Sequence, residues 1–334
     1  MQTPHIVVTG GTGFIGGHLL NILVEQGYSV TCLVRHSSNT SHIPRGVRIQ
    51  TVDLLTGYGL KEALAGHDIL IHLAALLFGL GFRSYLSANT TCAQNLCQAL
   101  ADLGDCAPKK CILISSMAAT GPSEGATPLS DFAKPHPVSA YGWSKLLVER
   151  TFQASYTGDL VILRPSIVYG SGDRGLLPVF QGAKYGFCVS PGLRVFPISC
   201  IHGKDMAKAI VACLTDKAHG IYHVSDGKPT TMDAFCTQMC RALHVSPHIL
   251  HMPLPILTAS AALATGMGIL LRCLAPKRFH RAPNWNLDKL SEAKQAGWVC
   301  DSQRLHNDVG FSPAYSLEAG MVESVQGYRE RGWL

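Results

Sequence analysis

Residues 5–17 read HIVVTGGTGFIGG, an apolar run that breaks into Gly10, Gly13 and Gly16 and resumes as an apolar helical pattern from Phe14. No other stretch restricts the fold so tightly. Short β-branched runs form strands, and FIGGHLLNILVEQG repeats its apolar residues at helical spacing. Glycines between such a strand and helix permit a tight turn and a close backbone approach to a pyrophosphate. The helix start presents free N–H groups and the positive end of its dipole to that negative charge. The turn therefore predicts a dinucleotide site.

Strand and helix patterns alternate through the rest of the first half. Strands are expected over 29–34, 68–75, 110–116 and 160–170, with a further one in GVRIQTVDL. Helices are expected over 60–64, 85–103 and 140–157, and Thr231 is placed to cap a later helix. The strands are apolar on both faces, which predicts an α/β fold: a Rossmann-type doubly wound parallel sheet with a smaller, interleaved C-terminal substrate lobe. Residues 1–170 form the nucleotide-binding domain, with 198–225 returning to it. Residues 171–197 and 226–334, richer in glycine and proline connections, form the lobe.

Composition narrows the function classes. Of the 334 residues, 47% are hydrophobic and 15% charged, a globular rather than disordered balance. The net charge of +6 is scattered, with no basic run longer than the Lys109-Lys110 pair, which argues against nucleic acid as a partner. The 12 cysteines show neither a C-x-x-C pair nor a Cys/His cluster at zinc spacing, so no metal site is expected. Reduced cysteines and an N-terminus without a signal pattern predict a cytoplasmic protein. Residues 252–271 carry no charge, but their prolines, glycines and small residues favour a buried or substrate-covering helix over the alternative, peripheral membrane contact.

Two further features concern chemistry. Tyr141 stands four residues before Lys145 in SAYGWSKLL, and at about 100° per residue the pair shares one stripe of a helix. At the end of the second strand, LVRHSS has Val34 where an acid would bind a ribose 2′-hydroxyl, followed by Arg35, which suits a 2′-phosphate. NADP is thus the expected nucleotide and NAD the alternative. Asp53, after the third strand, is placed either to reach the adenine edge or to cap its loop.

In order along the chain, TGGTGFIG, VDL, HLAA, ISS, YGWSK, LRPSIVYG and GFSP together resemble the extended short-chain dehydrogenase/reductase superfamily, also called the NAD-dependent epimerase/dehydratase family. The resemblance spans nearly the whole chain. It implies that Tyr141 exchanges a proton with the substrate oxygen, its pKa lowered from about 10 by Lys145. It also implies that Ser116 hydrogen-bonds the reacting oxygen and that Asn89 stands near the cofactor. The cofactor-binding set it implies is Gly10, Thr12, Gly13, Phe14, Ile15 and Gly16 in the first turn, and Arg35, Asp53 and Leu54 beyond the next strands. Leu73, Ala74, Ala75, Pro165, Ile167 and Val168 join it, with Tyr141 and Lys145. Extended members commonly dimerise through two long helices, here 85–103 and 140–157. Their apolar positions Leu86, Ala93, Leu96, Cys97, Leu100, Leu146, Leu147 and Val148 exceed what one sheet-facing side needs, so a homodimer is expected.

Local differences choose the branch. Dehydratases of this family carry Asp-Glu after the catalytic hydroxyl; here Ser116 precedes Met117-Ala118, which disfavours elimination. ISCIHGKD departs from the Arg-containing element of nucleotide-sugar enzymes, leaving Lys184, Arg194 or Lys204 to grip a diphosphate. SSMAATGP resembles 3β-hydroxysteroid dehydrogenases, and TCLVRHSS resembles dihydroflavonol reductases. The expected activity is hydride transfer between a nicotinamide and a secondary alcohol or ketone of a bulky apolar small molecule. The alternatives are a sugar or nucleotide-sugar epimerase and a non-catalytic cofactor-binding protein.

Overall fold

The computed structural model of the protein describes residues 3–275 and 282–334. Its main sheet holds β1 (His5–Thr9), β2 (Ser29–Val34), β3 (Arg48–Thr51), β4 (Ile69–His72), β5 (Lys110–Ile114), β6 (Asp159–Pro165) and the Gly220–Val224 strand. Except in the exposed edge strand β3, alternate residues of these strands enter two different cores, which is why the inner strands show no polar face. Ile6 and Val8 of β1 pack with Leu19, Leu20 and Leu23 of α1 (Phe14–Glu25). Val7 points the other way, into a cluster with Leu60, Leu96 and Leu100. Helices therefore cover both faces.

The strands are all parallel, in the order Gly220–Val224, β6, β5, β4, β1, β2, β3. The order reverses between β1 and β4, and at such a switch point the carboxyl ends of the strands open a crevice for ligands. The lobe has its own core, built around Tyr169, Phe180, Phe235, Met239, Met321 and Tyr328. Thr231 accepts a hydrogen bond from the Ala234 N–H at 3.1 Å and caps the Met232–Leu243 helix.

Five expectations change. The 85–103 helix contains a wide π turn, Leu86–Thr91, between the Phe82–Tyr85 and Cys92–Leu103 helices; one extra residue per turn leaves no mark in an apolar pattern. The 160–170 strand ends at Pro165, and Ile167–Tyr169 turns away to pair with Cys200–His202. Leu305 and Phe311, assigned to the lobe, pack in the sheet core.

The uncharged segment does form a helix, Leu254–Leu274, but only Leu257, Ala261 and Gly268 are buried along it. Apolar composition gave it the look of a core helix, and composition does not reveal which faces find cover. Finally, the stripe read as a dimer interface is mostly used inside the chain. Ala93, Leu96, Cys97, Leu100 and Val148 pack in the sheet core, Leu146 is buried, and Leu86 and Leu147 are half-buried. The two long helices cover one another's apolar positions against the sheet.

Candidate active site

The turn after β1 leaves no room for side chains. Gly10 has φ +74°, and a Cβ there would stand 2.6 Å from the Ala74 nitrogen; one on Gly16 would run into the Gly10 carbonyl oxygen. Gly13 caps α1 without a side-chain hydrogen bond, so the first-turn N–H groups face outward. Leu73 and Ala74 are fixed to Thr9 by backbone N–H bonds of 3.1 and 3.4 Å, which brings the end of β4 beside the glycines. Ala75 beyond them is exposed, and Thr12 is half-buried with its carbonyl bonded to His42.

Not every expected residue offers its side chain to this crevice. Phe14 packs against Gly203, and Ile15 joins the sheet core, so both contribute backbone only. Leu54 packs in the opposite core. Asp53 is a loop cap: its carboxylate accepts the Leu55 and Thr56 N–H groups, which, with Arg35 nearby, hold its pKa below the usual range. Arg35 is exposed at the end of β2, and among the described residues its guanidinium has no ion-pair partner. Pro165 is buried at the end of β6; Ile167 and Val168 pack toward the lobe and sheet cores respectively.

The residues expected to carry the chemistry meet at the end of β5. Ser116 caps the Met117–Thr120 helix, its Oγ accepting the Ala118 N–H at 3.1 Å. Tyr141 and Lys145 lie on the Ala140–Ser155 helix and are 7% and 3% exposed. The Tyr141 phenol lies near enough to Ser116 for that hydroxyl to act on it, so both hydroxyls address one region. Tyr85, Leu76, Ala118 and Trp298 pack in one apolar cluster with Tyr141.

The electrostatics differ from expectation. Burial raises the Tyr141 pKa, the nearby Ser116 hydroxyl draws it back in part, and Glu292 adds to the rise. Lys145 does not acidify the phenol, because its Nζ donates to the Ile114 carbonyl at 2.6 Å instead. Burial lowers Lys145 itself to about 8, opposed by Glu149 one turn along the helix.

Asn89 is a positioning residue. Its Oδ1 accepts the Leu76 N–H at 2.7 Å, and its Nδ2 donates to the Leu76 carbonyl and to Ser144 Oγ at 3.0 Å. Its amide is thus spent on tying the 76 loop to the residue before Lys145.

Sequence reading missed the supports. Glu149 receives a two-point bond from Arg164, at 2.9 and 2.6 Å, and a hydrogen bond from Ser115. Asp288 accepts the Ala140 and Tyr141 N–H groups, and Glu292 accepts from Ser139. Both acids sit at the positive end of the Tyr141 helix. Lys289 lies 4.7 Å over the Tyr141 ring. The one available signal was the spacing of Glu149 four residues after Lys145.

Residues 6–225 match the NAD dependent epimerase/dehydratase family. The chain belongs to that family. It is an enzyme fold of the extended short-chain dehydrogenase/reductase type, and a glycine cradle that any Cβ would fill fits its nicotinamide dinucleotide. It is 27% identical to the ceramide reductase of Caulobacter vibrioides, covering 98% of this chain and 96% of the relative. It is 26% identical to the 4-hydroxy-2-methyl-3-oxo-4-farnesyl-3,4-dihydroquinoline-1-oxide ketoreductase of Stigmatella aurantiaca, over 94% and 93%. The fold matches that of the Thermus thermophilus UDP-glucose 4-epimerase in complex with NAD, with a TM-score of 0.74 at 21% identity over 97% and 99% of the two chains.

Proposed function

We propose that the protein is an NADPH-dependent reductase of ketones carried on bulky apolar molecules, working in reverse as a dehydrogenase of the secondary alcohols. The observation that carries this is the proximity of Ser116 and Tyr141 beside the apolar side chains of Tyr85, Leu76 and Trp298, with Met117-Ala118 rather than carboxylates following Ser116. The bound nicotinamide supplies the hydride. Tyr141 delivers its proton to the substrate oxygen, and Ser116 donates a hydrogen bond to the charge developing there. A raised pKa keeps Tyr141 protonated at neutral pH, which suits reduction. Lys145, at about 8, is mostly cationic at neutral pH and holds positive charge beneath the proton donor. The relatives named as reductases of a ceramide and of a farnesyl-bearing quinoline support the same substrate class. Nucleotide-sugar epimerisation has less support: Lys204 is engaged by Glu323 at 2.7 Å, and Lys184 and Arg194 lie exposed at the two ends of an outlying strand. NADPH-dependent loss of a long-chain ketone tests the reading, and turnover of UDP-sugars alone would reject it.

Arg35 supports NADPH over NADH: it is exposed after β2, has no ion-pair partner among the described residues, and follows Val34 rather than an acid. Arg35→Ala is expected to weaken NADPH by about 10–100-fold, the worth of a charge-assisted contact, and NADH hardly at all. Equal losses in a titration of the two nucleotides would show that Arg35 reads no phosphate.

A homodimer is proposed on a smaller surface than the sequence suggested: Trp143, 42% exposed, with half-buried Leu86 and Leu147. Light scattering is expected to give twice the chain mass; a monomer mass rejects it. A cytoplasmic setting is proposed from twelve free cysteines, including Cys188 and Cys240 with unbonded sulfurs 3.8 Å apart.

A further inference from the structure

The Leu254–Leu274 helix turns most of its apolar side chains outward. Its inner face is narrow, with Leu257 and Ala261 packed on Leu290 of the Leu287–Ala293 helix. Outward, Leu263 is 74% exposed, Met267 58% and Leu274 73%, and Ile256, Ile269 and Leu270 are exposed beside them. The strand that leads into the helix, His248–Met252, pairs with Phe187–Pro191, and on that ribbon Leu250 stands opposite Val189, both exposed, beside exposed Phe187. A contiguous apolar surface of this size marks an interaction site.

We infer that this face docks on an anionic phospholipid membrane, the helix lying along the surface, and that it admits an apolar substrate to the site beneath. The substrate half of this rests on the reductase reading; the docking half does not. Three observations carry it.

The first is charge. Residues 184–195 and 248–275 contain no Asp or Glu, and their only Lys or Arg residues are Lys184, Arg194 and Arg272, all exposed. An apolar face whose own segments carry cations and no acid complements anionic headgroups, and Asp233, which reaches the ribbon, is engaged by His251 at 2.8 Å. A two-fold contact with a second copy would bring these same three cations toward their equivalents.

The second is attachment. The helix is about 31 Å long at about 1.5 Å per residue, enough to span a bilayer, yet its start is tied to the ribbon and its inner face to Leu290. Both hold it against the lobe, so it lies flat.

The third is continuity with the chemistry. A Cβ on Gly268 would stand 2.8 Å from Pro283 and 3.6 Å from Leu80. Leu80 belongs to the loop before Tyr85, whose ring lies 5.9 Å from that of Tyr141, and Leu77 and Phe82 of the same region are exposed. Leu290, under the helix, neighbours Lys289 over the Tyr141 ring. An apolar path thus runs from the outer helix to the proton donor.

Flotation of the full chain with vesicles of phosphatidylglycerol and phosphatidylcholine tests this, against vesicles of phosphatidylcholine alone. Binding to the anionic vesicles is expected, weakening as salt is raised. Leu263→Glu with Met267→Glu is expected to cut it by about tenfold or more, and the pair Leu263→Ser with Met267→Ser to cut it less. NADPH-dependent reduction of a small water-soluble ketone, without vesicles, is expected to stay unchanged in both. Failure of the wild type to bind anionic vesicles overturns the proposal, as does binding that neither pair alters. Conversion of a dimer to a monomer by the substitutions, without vesicle binding, assigns the face to a second copy and also overturns it. If the soluble ketone is not reduced by the wild type, the reductase reading fails while flotation still decides the docking.

Discussion

Tyr141→Phe is expected to lower turnover by about 10²–10⁴-fold, the range for loss of a positioned proton donor, with stability changed by only about 1 kcal/mol. The ring keeps its packing against Tyr85 and beneath Lys289; what disappears is the hydroxyl near Ser116. Nucleotide binding measured by titration is expected to be unaffected. Steady-state turnover above a tenth of the wild-type value would remove Tyr141 from the mechanism.

The second large effect is expected at a residue that touches no substrate. Glu149 is 1% exposed and bonded at two points to Arg164, itself 2% exposed. Glu149→Gln leaves a buried guanidinium without its carboxylate, an expected loss of about 3–5 kcal/mol in chemical denaturation. It also removes the charge that holds Lys145 up to about 8. The alkaline limb of kcat/KM for reduction should therefore move to lower pH in the variant. A purely structural role would lower stability and leave that limb in place. For the fold the sign runs the other way. Between about 8 and its ordinary value, Lys145 is neutral when folded and protonated when unfolded, so its cost to stability shrinks as pH rises through that window. Lys145→Met should lack this rise when its denaturation is followed against pH.

What the sequence made legible and what it hid divide along physical lines. The turn at Gly10 and Gly16 was readable because crowding there excludes every side chain, and such constraints are written in residue identity. The Tyr141–Lys145 pair was readable from helical spacing, but spacing fixes a shared stripe and not where the flexible lysine tip goes; it goes to Ile114. Asp288 and Glu292 are invisible for another reason. They reach the start of the catalytic helix from nearly 150 residues downstream, and only the folded chain brings them there. The π turn that presents Asn89 inserts a residue without disturbing an apolar pattern. The Leu254–Leu274 helix had the composition of a core helix, yet the fold covers only its narrow inner face.

The most direct test of the account is to follow the hydride. NADPH deuterated at both positions of nicotinamide C4 is supplied with a long-chain ketone, and the recovered alcohol is examined by mass spectrometry for the wild type and Tyr141→Phe. The account predicts one deuterium on the carbinol carbon, formed by the wild type and nearly abolished in the variant. An unlabelled alcohol, or labelled alcohol formed equally by both proteins, would contradict it.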